Sequence, residues 1–245
     1  MSEPASTAVL NGRLRECDRL LPRPQSIPGD RRPPDESTVT WEEFCDPDRP
    51  WLSRCVEEWQ ERGGFRHHRA ATVLVAFRFG WLACCATVPE YHWQVEMPSL
   101  AGLRVALGSG GRLSALRPTG ALRRPAGTAV PPEQWWQDLS AAFTPLTEAL
   151  NALGGPAPDS HEYWGNPVGL AATVLWRLER AGMPGDLVGA ARELVTATGR
   201  SELVRIDAER GRPWVRRSTC CQWWRAGGGY CAECVLQDSP TRQRA

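Results

Sequence analysis

The chain contains no lysine: all 29 of its Lys/Arg positions are arginine. That excludes Schiff-base catalysis and a P-loop lysine at a phosphate. Net charge is also missing. At +1 over 245 residues there is no global electrostatic case for nucleic acid or an anionic membrane. No dinucleotide fingerprint and no internal repeat are present. The segment "LGSGG" at residues 107–111 lacks the Gly-Lys-Ser/Thr ending of a phosphate loop and runs into strand-like residues. The opening "MSEPASTAVLNGRLRECDRLL" has no basic region followed by an apolar core, so no secretory signal is expected. The longest apolar run, residues 70–88, is nearly long enough to span a bilayer but carries Arg78 in its middle, a costly position in lipid. It predicts a helix buried in protein and no transmembrane segment. The expected compartment is the cytoplasm. Nine cysteines, an odd number, fit a reducing environment better than a disulfide framework.

What is present is the composition of a folded chain: 42% hydrophobic, 23% charged, twelve tryptophans. Residues 7–21 read as a short helix, and the Pro-rich, charged stretch 22–37 as an extended connector. From "DPDRPWLSRCVEEWQERGG" the pattern turns helical, with Asp48 as the expected N-cap, Pro50 in the first turn and Gly63–Gly64 as the stop. The apolar run supplies a second helix. Leu103–Leu107 and Leu113–Leu116 then alternate like two strands joined by "GSGG". Pro131–Pro132 open a helix closed by Gly154–Gly155, with a kink expected at Pro145. In "YWGNPVGLAATVLWRLERAG", helical spacing puts Val168, Ala171, Ala172 and Leu175 on one face. A last helix begins near Asp186 and ends before Gly199, and residues from Ser201 onward are less regular. The expected fold is α+β: a connector segment (1–39), a mainly helical body with a small antiparallel hairpin (40–200), and an irregular metal-binding tail (201–245).

That tail packs four of the nine cysteines into fifteen residues: Cys220, Cys221, nine residues, Cys231, two residues, Cys234. A C-x-x-C half lets two thiolates reach one metal from a tight turn, and four thiolates satisfy a tetrahedral zinc or a two-iron cluster. The glycines of "AGGGY" free the loop to fold back. The adjacent pair is the informative half. Neighbouring residues on a strand point to opposite faces, and structural zinc sites commonly space each ligand pair by two to four residues. A vicinal pair suits a two-iron cluster on an irregular turn better, although neither common ferredoxin spacing matches. Spacing alone therefore leaves both open, together with a Cys220–Cys221 disulfide and burial as small hydrophobes.

The segment "CCQWWRAGGGYCAEC" resembles the C-terminal signature of the FhuF-type siderophore-iron reductases. In that family two adjacent cysteines, about ten residues and a C-x-x-C ligate a [2Fe-2S] cluster; here the gap is nine. The flanks are similar too: "RRSTCC" before, then "WWR", then glycines. Upstream, "YWGNPVGLAATVLWRL" resembles the family's helix opening on Trp/Gly/Asn and continuing in small residues. The likeness extends over most of the chain beyond about residue 40. It implies a [2Fe-2S] cluster on Cys220, Cys221, Cys231 and Cys234, and an oxidoreductase that passes one electron to a ferric siderophore, releasing Fe(II). It also implies a separate electron donor, a ferredoxin or an NAD(P)H-dependent reductase. The alternative is an interaction protein stabilised by zinc on the same four cysteines, without redox activity.

Other residues carry weaker signals. Arg216, Arg217 and Arg225 adjoin the ligands in sequence; they either raise a cluster's potential and steer an anionic chelate, or cap elements and face solvent. Trp223 and Trp224 either shield a cluster and touch substrate, or pack ordinarily. His67–His68, His92 and His161 show no metal spacing and read as surface or capping residues. Cys84–Cys85 repeat the vicinal pattern inside an apolar helix and read as buried; Cys17, Cys45 and Cys55 show no ligand spacing. Arg78 needs an acceptor: the expectation is a carboxylate, with a role in shaping a pocket as the alternative.

Overall fold

A computed structural model describes residues 37–63, 67–94, 96–121, 129–207, 215–222, 224 and 235. The expected helix at 7–21, the connector before Ser37, and Cys17, Trp223, Arg225, Cys231 and Cys234 lie outside the described residues. The architecture is α+β and mainly helical, with small antiparallel sheets.

Ser37 belongs to a strand rather than a connector: β1 (Ser37–Thr40) forms one edge of a three-stranded antiparallel sheet with β3 (Arg104–Leu107) and β4 (Leu113–Arg117). β3 and β4 are the expected hairpin, joined through a 3-10 turn at Ser109–Gly111. Gly110 and Gly111 there have positive φ, which only glycine adopts at little cost. β2 (Pro98–Ser99) pairs with β5 (Gly120–Ala121). Thr40 ends β1 and caps α1 (Trp41–Cys45) through a capping box. Its Oγ1 accepts the Glu43 N–H at 3.1 Å, and its own N–H donates to Glu43 Oε2 at 2.9 Å.

α2 (Pro50–Gly63) starts on Pro50, whose missing N–H would have no partner in a first turn anyway. Asp48 lies in the preceding turn, where its N–H donates to Asp46 Oδ1 at 2.9 Å. α3 (His68–His92) is the expected apolar helix, longer at both ends. It is long and apolar enough to cross a membrane by length and composition, but 83% of its most apolar window is buried in the protein. An all-round apolar helix of this kind sits at the centre of a core. From Ala70 to Tyr91 only Phe77 and Arg78 are not buried, and both matter below.

α4 (Pro132–Ala152) runs through Pro145 without a break. α5 (His161–Arg180) lies against α3, and the approach is close: a Cβ at Gly80 would stand 3.3 Å from Leu170 Cδ1. Val168, Ala171, Ala172 and Leu175 are all buried. α6 (Leu187–Ala197) is capped by Asp186, which accepts the Gly189 N–H at 2.8 Å, and is followed by Gly199 at φ +64°. A row of rings ties α1, α3, α4 and α5 together: Trp41–Phe79 at 4.7 Å, Phe79–Phe143 at 5.7 Å, Phe143–Trp164 at 5.0 Å and Trp164–Trp136 at 5.6 Å. Such pairs add about 0.5–1.5 kcal/mol each beyond their buried area. The expected irregular tail opens instead on a second hairpin, β6 (Val204–Ile206) with β7 (Val215–Arg217), packed against α5.

Candidate functional site

The segment leading into the cysteines is seated on α5. Its "WGN" element does three different jobs. Trp164 Nε1 donates to Pro158 O at 2.8 Å, and the Arg200 guanidinium covers its ring at 4.8 Å, which fixes the helix start. Gly165 leaves the space that the Thr219 side chain fills; a Cβ there would overlap it. Asn166 is fully buried, donating from Nδ2 to Glu162 O at 3.0 Å and accepting at Oδ1 from Arg217 Nη1 at 3.4 Å. One turn on, Gly169 makes room for the aliphatic stem of Arg217. Two glycines four apart thus form a groove on one helix face. Beyond β7, the Ser218 N–H donates to Leu203 O at 2.8 Å, and the Ser218 hydroxyl to Glu202 O at 2.9 Å.

The chain leaves β7 after Arg217. Cys220 and Cys221 sit in non-repetitive backbone, and Gln222 takes φ +64°, an uncommon region for a residue with a side chain. The Gln222 N–H donates to Cys220 Sγ at 3.3 Å. This irregular turn frees the vicinal pair from the opposite-face geometry of a strand. A backbone donor at sulfur also favours the thiolate that a metal requires. Cys220 is half-buried and Cys221 is 3% exposed. This half of the donor set fits a thiolate-ligated group. Among the described residues no group of three or more His, Cys, Asp or Glu is placed to hold a metal ion, and the second pair, Cys231 and Cys234, lies outside them.

Cys221 forms part of the wall of a cavity of about 320 Å³. The wall also includes Trp59 of α2, Leu74, Phe77, Arg78 and Trp81 of α3, Leu170, Thr173 and Arg177 of α5, and Arg217 of β7. Three arginines line this space, and no carboxylate is among the described residues that do. Arg78 corrects the expectation of a carboxylate partner. Its Nε donates to Leu113 O at 3.2 Å and its Nη2 to Ser114 O at 3.1 Å, so backbone carbonyls of β4 hold it. Burial, and then the neighbouring Arg112 charge, push Arg78 below the usual arginine range. Arg177 stacks over Trp81 at 4.6 Å, and the buried Arg217 lies over Phe77 at 5.4 Å.

Of the site residues expected from sequence, the structure brings together Cys220, Cys221 and Arg217. Arg216 is half-buried beside Arg217 on β7, and Trp224 is exposed. Cys45, Cys55, Cys84 and Cys85 are buried in the core. His67 takes the N-cap position of α3 without a side-chain cap bond, and His68 Nδ1 lies 3.0 Å from Gln60 Oε1. Sequence reading missed Trp59, Phe77, Trp81, Thr173 and Arg177 as wall residues. The available signal was Arg78, a charge in an apolar helix, with Phe77 and Trp81 within about one turn of it. Comparisons of the chain with protein-family models, with curated proteins and with solved structures find no match.

Proposed function

We propose that this chain is a cytoplasmic one-electron reductase of ferric siderophores, of the FhuF type, with Cys220, Cys221, Cys231 and Cys234 as the ligands of a [2Fe-2S] cluster. The observation that carries the reading is the position of Cys221: a thiol of the vicinal pair, on an irregular turn, in the wall of a cavity rich in arginine and aromatic rings. A bound cluster of this kind supplies single electrons. The remaining chemistry belongs to the chain. Gly165, Asn166 and Gly169 fix the approach to the turn, so Cys221 is held against the cavity by a helix. Arg217 and Arg78 share the cavity wall with Cys221, and positive charge on that wall favours an added electron there. The aromatic walls keep water away from a bound chelate. Fe(III) is a hard cation held tightly by oxygen donors; one electron makes it Fe(II), which the same donors hold more weakly. The reaction needs no base or nucleophile. The electron comes from a separate ferredoxin or NAD(P)H-dependent reductase.

The test is reduction of a ferric siderophore by anaerobic, pre-reduced protein, with released Fe(II) trapped by a chromogenic chelator. Each of Cys220→Ser, Cys221→Ser, Cys231→Ser and Cys234→Ser is expected to lower Fe(II) release by at least about 10–100-fold, the range found for residues that only support a metal's ligands. Wild-type rates in all four variants would refute the proposal.

A further inference from the structure

We infer that Gln222 is a positioning residue for the vicinal thiols. Its left-handed backbone turns the chain so that its own N–H reaches back to Cys220 Sγ, and this conformation, rather than the Gln222 side chain, sets how the pair is presented to a metal. That Cys220 and Cys221 are metal ligands rests on the proposed function; which metal they hold does not enter.

Two non-glycine residues among those described have positive φ. Gln94, at φ +54°, follows the end of α3, where a left-handed residue is a common helix stop, and its N–H donates to Tyr91 O at 3.2 Å. Gln222, at φ +64°, follows no helix. Such backbone is costly for a residue with a Cβ and persists only where its surroundings hold it. Three contacts do so here. Ahead of the turn, Arg217 donates to Asn166 Oδ1, and the Thr219 side chain fills the space over Gly165. Within it, Cys221 is 3% exposed and forms part of the cavity wall. At its close, the Gln222 N–H donates to Cys220 Sγ at 3.3 Å. A side chain that accepts from the backbone two residues on makes the same turn as Asn, Asp or Ser, with sulfur in place of oxygen. With Cys221 seated in the wall, φ at residue 222 decides whether Cys220 keeps that donor. The Gln222 amide does not hold the residue: its Oε1 is buried and has no hydrogen-bond partner among the described residues. A backbone N–H at sulfur favours the thiolate and, in a cluster, the added electron.

The experiment follows, without oxygen, the transfer of bound metal from the full-length protein to an excess of a chromogenic chelator. It uses the metal the isolated protein carries, iron or zinc, with the melting temperature of the metal-free protein as a control of fold. Release is expected to follow the ease of left-handed backbone at residue 222. Gln222→Gly, with no Cβ to clash, is expected to hold its metal at least as long as wild type. Gln222→Leu, which removes the amide and keeps an unbranched Cβ, is expected to stay within about twofold of wild type. Gln222→Val, whose branched Cβ makes positive φ a strong outlier, is expected to release metal at least about tenfold faster. If the metal is a cluster, Gln222→Val is also expected to lower its midpoint potential, because one sulfur loses its donor, and Gln222→Leu to keep the wild-type potential. Wild-type release from Gln222→Val, or faster release from Gln222→Gly than from wild type, would overturn the inference. So would a Gln222→Leu protein as fast as Gln222→Val, which would return the role to the side chain. A zinc protein that shows the expected order would uphold the turn while removing the reductase reading, and an iron–sulfur protein without that order would do the reverse. Wild-type protein that holds neither iron nor zinc would overturn both.

Discussion

At the scale of the residue, this chain uses the same dipeptide twice for opposite ends. Cys84–Cys85 lie in α3 with no exposed surface. Cys84 Sγ donates to Pro167 O at 3.6 Å, and burial drives its thiol well above the ordinary range. Cys220–Cys221 sit in a turn with a backbone donor aimed at one sulfur. Apolar spacing around the first pair and glycine and arginine around the second made that contrast legible in the sequence. The partners of Arg78 were not legible, because backbone carbonyls 35 and 36 residues away leave no mark in composition. Burial also sets a pH prediction. It pushes Cys55 from 9.0 up to about 12, and Tyr91 and Tyr163 from 10.0 up to about 12. Folded-state values above the unfolded ones mean stability that is complete below the unfolded values and lost as pH rises through the folded ones. The melting temperature is therefore expected to hold up to about pH 9 and to fall progressively toward pH 12, measured by circular dichroism across that range. A melting temperature unchanged to about pH 11 would contradict this account of the three groups.

At the scale of the element, helix α5 joins body to tail. Its Gly165 and Gly169 admit Thr219 and Arg217, and its Asn166 bonds the Arg217 guanidinium. Gly169→Val would drive two methyls into the Arg217 stem, a cost of about 1–3 kcal/mol for an overpacked contact. The expected outcome is a lower melting temperature together with a lower iron content per chain. Gly120→Ala, at a glycine with open space around it, is expected to stay within about 0.5 kcal/mol of wild type. A Gly169→Val protein that melts and loads iron like wild type would show that the tail is not seated on this groove. The long helices were readable because their stops and caps are written in Pro50, Pro132, Gly154, Asp186 and Gly199. β1, β6 and β7 were not. Each is three or four residues long, too short for alternation to register, and β6 and β7 are set by pairing with each other.

At the scale of the whole molecule, α2, α3, α5 and β7 meet at one place, and that place is a cavity with cationic and aromatic walls and a cysteine in them. α3, buried nearly all round, fixes the body; between Ala70 and Tyr91 only Phe77 and Arg78 are not buried, and both line the cavity. The helical body was legible in the sequence, but the place where it meets the segment before Cys220 was not, because it depends on contacts between α3, α5 and residues far along the chain. The central claim is that four thiols hold two irons beside this cavity. It is tested most directly by analysing freshly isolated, oxygen-protected protein for iron, acid-labile sulfide and zinc, with a visible spectrum before and after reduction. The expected result is about two iron and two sulfide per chain, and visible absorption that bleaches on reduction, as a [2Fe-2S] cluster requires. A colourless protein carrying about one zinc, with no spectral response to reductant, would contradict the account and leave a four-thiolate zinc site in its place.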